Sequence, residues 1–165
     1  MSKNIALLIG PNFSDAEYLA TADTLQFAGH HLIHISPCLE DIIYGAKHTQ
    51  VQLQQHLPEA SIQGIDGLIL FALEQHPWVS DFVQSVANAH KPIFSLSHAT
   101  ELLIAAKVAY GRRLTAAKDC QIRLKDAGAV YLDQAVVNDH NLYISNRSLA
   151  DLPAFLQETL HVLRA

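Results

Sequence analysis

Short apolar runs alternate with helical repeats from one end of the chain to the other. Residues 5–10, 32–36, 64–70 and 92–96 are apolar at most positions, as expected of strands covered on both faces. Residues 14–28 read as a helix, with Ser14 or Asp15 as its N-cap and Gly29 as its stop. Residues 42–53 form a strand-and-turn excursion before the central strand at 64–70. A second helix is predicted over 77–90, where Val79, Phe82, Val83 and Val86 recur at helical spacing. Beyond residue 96 a further helix buries Leu102, Leu103, Ala105 and Ala106. Short strands follow at 113–116 and 130–132, separated by a helix ending near Gly128. Strands at 133–137 and 141–145 make a hairpin around Asp139-His140, and an amphipathic helix covers 153–163. This order predicts one α/β domain over 1–165: a doubly wound, mostly parallel sheet with helices on both faces, binding ligands at the carboxyl ends of its strands.

One of those ends carries the most chemistry. Lys91-Pro92-Ile93-Phe94-Ser95-Leu96-Ser97-His98-Ala99-Thr100-Glu101 reads as a buried strand turning sharply into a helix, with Ser97 at the turn. Unpaired backbone N–H groups and the helix dipole favour negative charge there. Two readings of Ser97 follow: a nucleophile, or a hydroxyl that merely occupies the turn. The dipole contributes at most about 2 kcal/mol, too little to ionise an alcohol, so a working serine needs a positioned base. His98 is adjacent and Glu17 lies in the first turn of the first helix; either one is a candidate base.

Composition narrows the classes. The chain is 165 residues long, 50% hydrophobic and 16% charged, as expected of a compact core. Its net charge of −5 and scattered basic residues argue against nucleic acid as a partner. No run reaches the length of a membrane span and the first residues do not read as a signal peptide, so the expected location is the cytoplasm. Ten histidines raise the question of a metal, but they are scattered, and His30 and His31 point to opposite faces of a strand. No metal and no cofactor are expected. Cys38 has two readings, a loop thiol open to oxidation or an inert one, and Cys120 is a helix-start thiol without a motif; the inert reading is preferred for both.

The strand, Ser97-His98-Ala99 and the helix after it resemble the nucleophile elbow of the DJ-1/PfpI superfamily, whose usual triplet is Cys-His-Gly. The resemblance extends along nearly the whole chain. It includes Ile5-Ala6-Leu7-Leu8-Ile9-Gly10, Phe13-Ser14-Asp15-Ala16-Glu17, Asp66-Gly67-Leu68-Ile69-Leu70, Gly111-Arg112-Arg113-Leu114-Thr115, Ala127-Gly128-Ala129-Val130-Tyr131 and the final hairpin. The compact PfpI-like branch is the nearer one. The resemblance implies a flavodoxin-like fold of the class I glutamine amidotransferase type. It also implies assembly into homodimers or larger homo-oligomers, a possible small-molecule or peptide ligand, and an acidic residue at Glu17 that hydrogen-bonds the reactive group.

Three departures separate this chain from that pattern. Serine stands at the position of the family's cysteine. Phe71-Ala72-Leu73-Glu74-Gln75 replaces the usual Pro-Gly-Gly turn, so Leu73 and Ala99 border a reshaped anion site and Glu74 is the candidate to orient His98. Ala116-Ala117-Lys118 supplies no aromatic residue where hydrolase-like and glyoxalase-like members often have one. The expected function is therefore a stress-related protein that has lost cysteine chemistry and acts by binding or assembly. The alternative is a hydrolase of the peptidase, amidase or esterase type using Ser97, His98 and Glu17. A redox-sensing role for Ser97 is excluded, because a hydroxyl does not oxidise as a thiol does.

Overall fold

The computed structural model describes residues 1–164. Its seven-stranded sheet is built from β1 (Asn4–Leu8), β2 (His31–Ser36), β5 (Gln55–His56), β6 (Gly67–Leu70), β7 (Ile93–Ser95), β10 (Val136–Asp139) and β11 (Tyr143–Asn146). The order across the sheet is β10-β11-β7-β6-β1-β2-β5, and every pairing is parallel except β10 with β11. The doubly wound, mostly parallel arrangement expected from the sequence is the one observed.

Burial on both faces explains the apolar runs. Alternation along β1 sends Ala6 and Leu8 to one core cluster and Ile5 and Leu7 to the other. On β6, Leu68 and Leu70 join the first cluster and Ile69 the second; on β7, Ile93 and Phe94 divide in the same way. The first face is covered by α2 (Pro77–Asn88), α3 (Glu101–Ala105) and α4 (Gln121–Asp126), and the second by α1 (Asp15–Phe27) and α5 (Leu152–Arg164).

Local chemistry sets the helix ends. Ser14 Oγ caps α1 by accepting from Glu17 N at 3.3 Å, and Gly29 adopts a φ of +91° just past its end. His76 Nδ1 accepts from Trp78 N at 3.1 Å to cap α2, where Pro77 needs no hydrogen-bond partner. The excursion resolves into a small antiparallel sheet of β3 (Ile42–Tyr44) and β4 (Gln50–Gln52). It is tied to α1 by Asp15, whose carboxylate accepts from Lys47 N at 2.7 Å and Thr49 N at 2.9 Å.

Four boundaries differ from expectation. The central strand begins at Gly67, because residues 61–66 turn before joining the sheet. The hairpin strands lie nearer the C-terminus: His140 and Asn141 both take positive φ, and Leu142 N bonds back to Asp139 O at 3.1 Å. β8 (Arg113–Leu114) and β9 (Val130–Tyr131) pair with each other in a separate two-stranded sheet. β5 is an edge strand that no apolar run announces.

The Thr49 side chain and then the Lys47 and Thr49 amides pull the Asp15 carboxyl down to about 2 from its ordinary 3.8, against the opposing effect of burial. A depressed folded-state value contributes stability above pH 3.8 that is lost as the pH falls towards about 2. Asp15→Asn is expected to lower the melting temperature at neutral pH and to flatten the acid limb across that window. Thermal melts of both proteins between pH 2 and 7 check this.

Candidate functional site

The topology reverses between β1 and β6, since the chain runs from β1 outward to β2 and later returns on the other side to β6. Ligands in such sheets bind outside the carboxyl ends at this reversal. A cavity of about 470 Å³ lies there, lined by Gly10, Pro11 and Asn12 after β1, Pro37 and Cys38 after β2, and the segment from Leu73 to His76 after β6. Leu73 and Glu74 border this cavity. Ser97 is not among its lining residues.

Ser97 follows β7, one strand further along. Its φ of +49° is left-handed, a conformation that costs a non-glycine residue about 1–3 kcal/mol and persists only where neighbours impose it. The neighbours are on β11 and just beyond. Ser97 N donates to Asn146 Oδ1 at 2.7 Å, and Ser97 Oγ donates to Arg147 O at 3.3 Å. Asn146 is fully buried and is oriented in turn by donating from Nδ2 to Ser148 O at 3.1 Å. On the other side of the turn Ala99 N donates to Leu96 O at 2.8 Å, and Ser95 Oγ shares a 3.0 Å bond with Thr100 Oγ1.

These bonds change the expected chemistry. The turn opens as a 3-10 segment, Ser97–Thr100, and only five α-helical residues follow, so little helix dipole is focused on Ser97. Two turn amides, those of Ser97 and Ala99, already have protein acceptors, which removes them from an oxyanion site. Among the described residues no hydrogen bond joins Ser97 Oγ to His98 or to Glu17. The trio that the alternative hydrolase reading needs is not joined by these hydrogen bonds.

His98 is committed elsewhere. Its exposed ring presents Nε2 to Asp119 at 2.9 Å from Oδ1 and 3.2 Å from Oδ2. Asp119, in the 3-10 turn Lys118–Cys120, holds the place expected of Glu74, which is exposed at the cavity by the β1 end. Ala99 is 0% exposed and belongs to the core, so its side chain does not border a ligand. Glu17 is half-buried; burial raises its carboxyl above the ordinary range, and the nearby charge of His98 acts in the opposite direction.

The turn after β6 is filled by its own side chains. Phe71 is 1% exposed and stacks obliquely with Tyr18 at a centroid distance of 6.1 Å. Leu73 lies so near the β1 end that a Cβ on Gly10 would come within 3.3 Å of Leu73 Cβ. Both thiols are free: Cys38 is half-buried beside the cavity, whereas Cys120 is fully buried. Burial, followed by the Glu101 and Asp119 carboxylates, pushes the Cys120 thiol up to about 12.

Comparison with known proteins fits this architecture. The sequence profile of the DJ-1/PfpI family matches residues 3–162. The chain belongs to the DJ-1/PfpI family. It is 36% identical over 173 residues to protein/nucleic acid deglycase 2 of Escherichia coli, covering 100% of both chains. It is 29% identical over 170 residues to general stress protein 18 of Bacillus subtilis, covering 99% of each. Among solved structures, DJ-1beta of Drosophila melanogaster superposes with a TM-score of 0.85 at 20% identity, over 96% of this chain and 89% of that one. A two-domain Anabaena variabilis protein with DJ-1/ThiJ/PfpI-like and ferritin-like domains gives 0.91 at 24% identity; the match covers 98% of this chain and 48% of that one. No described helix is long and apolar enough to cross a membrane.

Two outcomes test the site as described. A thiol reagent at pH 8 is expected to modify Cys38 in the native protein and to reach Cys120 only on unfolding, as peptide mapping with and without denaturant would show. Asn146→Ala strands the Ser97 amide and is expected to lower the unfolding free energy by about 1–3 kcal/mol, read from denaturant titration.

Proposed function

We infer that this DJ-1/PfpI-family protein has lost the family's cysteine-dependent chemistry and acts by binding or self-assembly in a stress-related, cytoplasmic setting. One observation carries the reading: the hydroxyl at the elbow donates to a backbone carbonyl, Arg147 O, and among the described residues it has no hydrogen bond to His98 or Glu17. Support comes from the two occupied turn amides and from the apolar side chains of Phe71 and Leu73 where the family resemblance implies glycines. In that resemblance the reacting group is a cysteine, and Ser97 takes its place. The partners inferred are further copies of the chain, as a homodimer or larger homo-oligomer. A small-molecule or peptide ligand would be received at the cavity between Cys38 and Glu74.

The competing reading is a hydrolase in which Ser97 attacks with help from His98 and Glu17. What favours it is Glu17, a half-buried carboxyl electrostatically coupled to His98. That reading requires Ser97 Oγ to leave Arg147 O and His98 Nδ1 to reach it, with Asp119 on Nε2 orienting the ring.

The deciding assay measures highly purified protein on ester, peptide and glycated substrates. Wild type and Ser97→Ala are expected to give equal background rates. A wild-type rate that falls by at least about a hundredfold in Ser97→Ala would overturn the proposal.

A further inference from the structure

Beyond the elbow hydroxyl, the side chains on its outer flank form a second constellation. A ring nitrogen of His98, an Asp119 carboxylate oxygen and Cys120 Sγ all lie within 4.8 Å of one another. Two separations are specific: 2.9 Å from Nε2 to Asp119 Oδ1 and 4.0 Å from that oxygen to Sγ. Tetrahedral zinc has bonds of about 2.0–2.3 Å, which places neighbouring donor atoms roughly 3.4–3.6 Å apart. These two separations bracket that value, and the third, from the His98 ring to Sγ, is within 4.8 Å, so side-chain adjustments of about an ångström converge the donors on one point. We propose that His98, Asp119 and Cys120 form a binding site for a divalent first-row transition metal ion of the zinc type.

Three physical arguments support it. The donor set is mixed nitrogen, oxygen and sulfur, which suits zinc-like ions and disfavours magnesium and calcium, whose ligands are oxygens. His98 Nε2 faces both oxygens of Asp119, so an ion can take the place of the shared proton without moving either backbone. The local charge also favours a cation: the Asp119 and Glu101 carboxylates both act on the Cys120 thiol, and the nearby Arg123 guanidinium is engaged by Glu101.

The site joins two rigid supports. His98 sits in the elbow turn, whose backbone is fixed through Ser97 and Asn146. Asp119 and Cys120 share one 3-10 turn anchored by Cys120 N to Ala117 O at 2.9 Å. His98 and Asp119 are exposed, giving an ion access from solvent, while the sulfur forms the buried floor. Binding displaces the thiol proton to solvent and leaves one coordination position open to water. The inference holds whether or not Ser97 is reactive, and its readout is spectroscopic.

The test is titration of the full-length protein with Co²⁺, followed by displacement with Zn²⁺. One equivalent of Co²⁺ is expected to give visible bands of tetrahedral intensity together with a near-ultraviolet thiolate-to-cobalt band, all abolished by one equivalent of Zn²⁺. The charge-transfer band should vanish in Cys120→Ala and persist in Cys38→Ser. His98→Gln and Asp119→Asn, both at exposed positions, should each weaken binding by at least about tenfold. These two variants keep the test decisive if Cys120→Ala does not fold. A wild-type titration without the thiolate band overturns the proposal, as does a band that disappears in Cys38→Ser or unchanged affinity in both exposed variants.

Discussion

Everything at the carboxyl end of the sheet depends on central strands that have no wet face. β1, β6 and β7 send alternate side chains into two separate cores, so a slip of one residue would exchange the contents of both. Register is therefore fixed where the functional loops leave the sheet. The cavity after β1, β2 and β6 and the elbow after β7 inherit their positions from this constraint. With Leu8 paired to Leu70 and Leu70 to Ser95, three loop origins stand side by side.

The elbow holds a strained geometry through bonds to the neighbouring strand. A left-handed non-glycine residue is held by a buried asparagine on the neighbouring strand, and the bonds that impose the conformation also occupy the Ser97 amide and hydroxyl. The Ser97 amide faces Asn146, the Ser97 hydroxyl faces Arg147 O, and the imidazole next door faces Asp119. What remains is a rigid turn presenting an exposed His–Asp pair above a buried thiol.

The architecture was largely legible because its signals are local. Apolar runs marked the strands, Ser14 and Gly29 bounded the first helix, and the spacing of Val79, Phe82, Val83 and Val86 gave the second. The elbow was equally visible, as a buried strand ending in Ser97-His98. Its partners were not. Asn146 is 49 residues from Ser97 and Asp119 is 21 from His98, and neither pairing leaves a periodic trace. Asp119 lies between Lys118 and Cys120, two residues that attract notice for charge and sulfur. Its own value comes only from the 3-10 turn that swings it towards the elbow. Glu74, nearer in sequence to the family pattern, is carried away by the apolar packing of Phe71 and Leu73.

The hairpin at one side of the sheet and the two-residue β5 at the other also bear on how copies of this chain can meet. β5 offers too few backbone groups to template a neighbouring strand. At the far side Arg113 donates to Asn138 O, occupying one carbonyl of β10 that an incoming strand would seek. Both margins thus give an added strand little free backbone to pair with. At these two margins the fold therefore resists open-ended sheet extension.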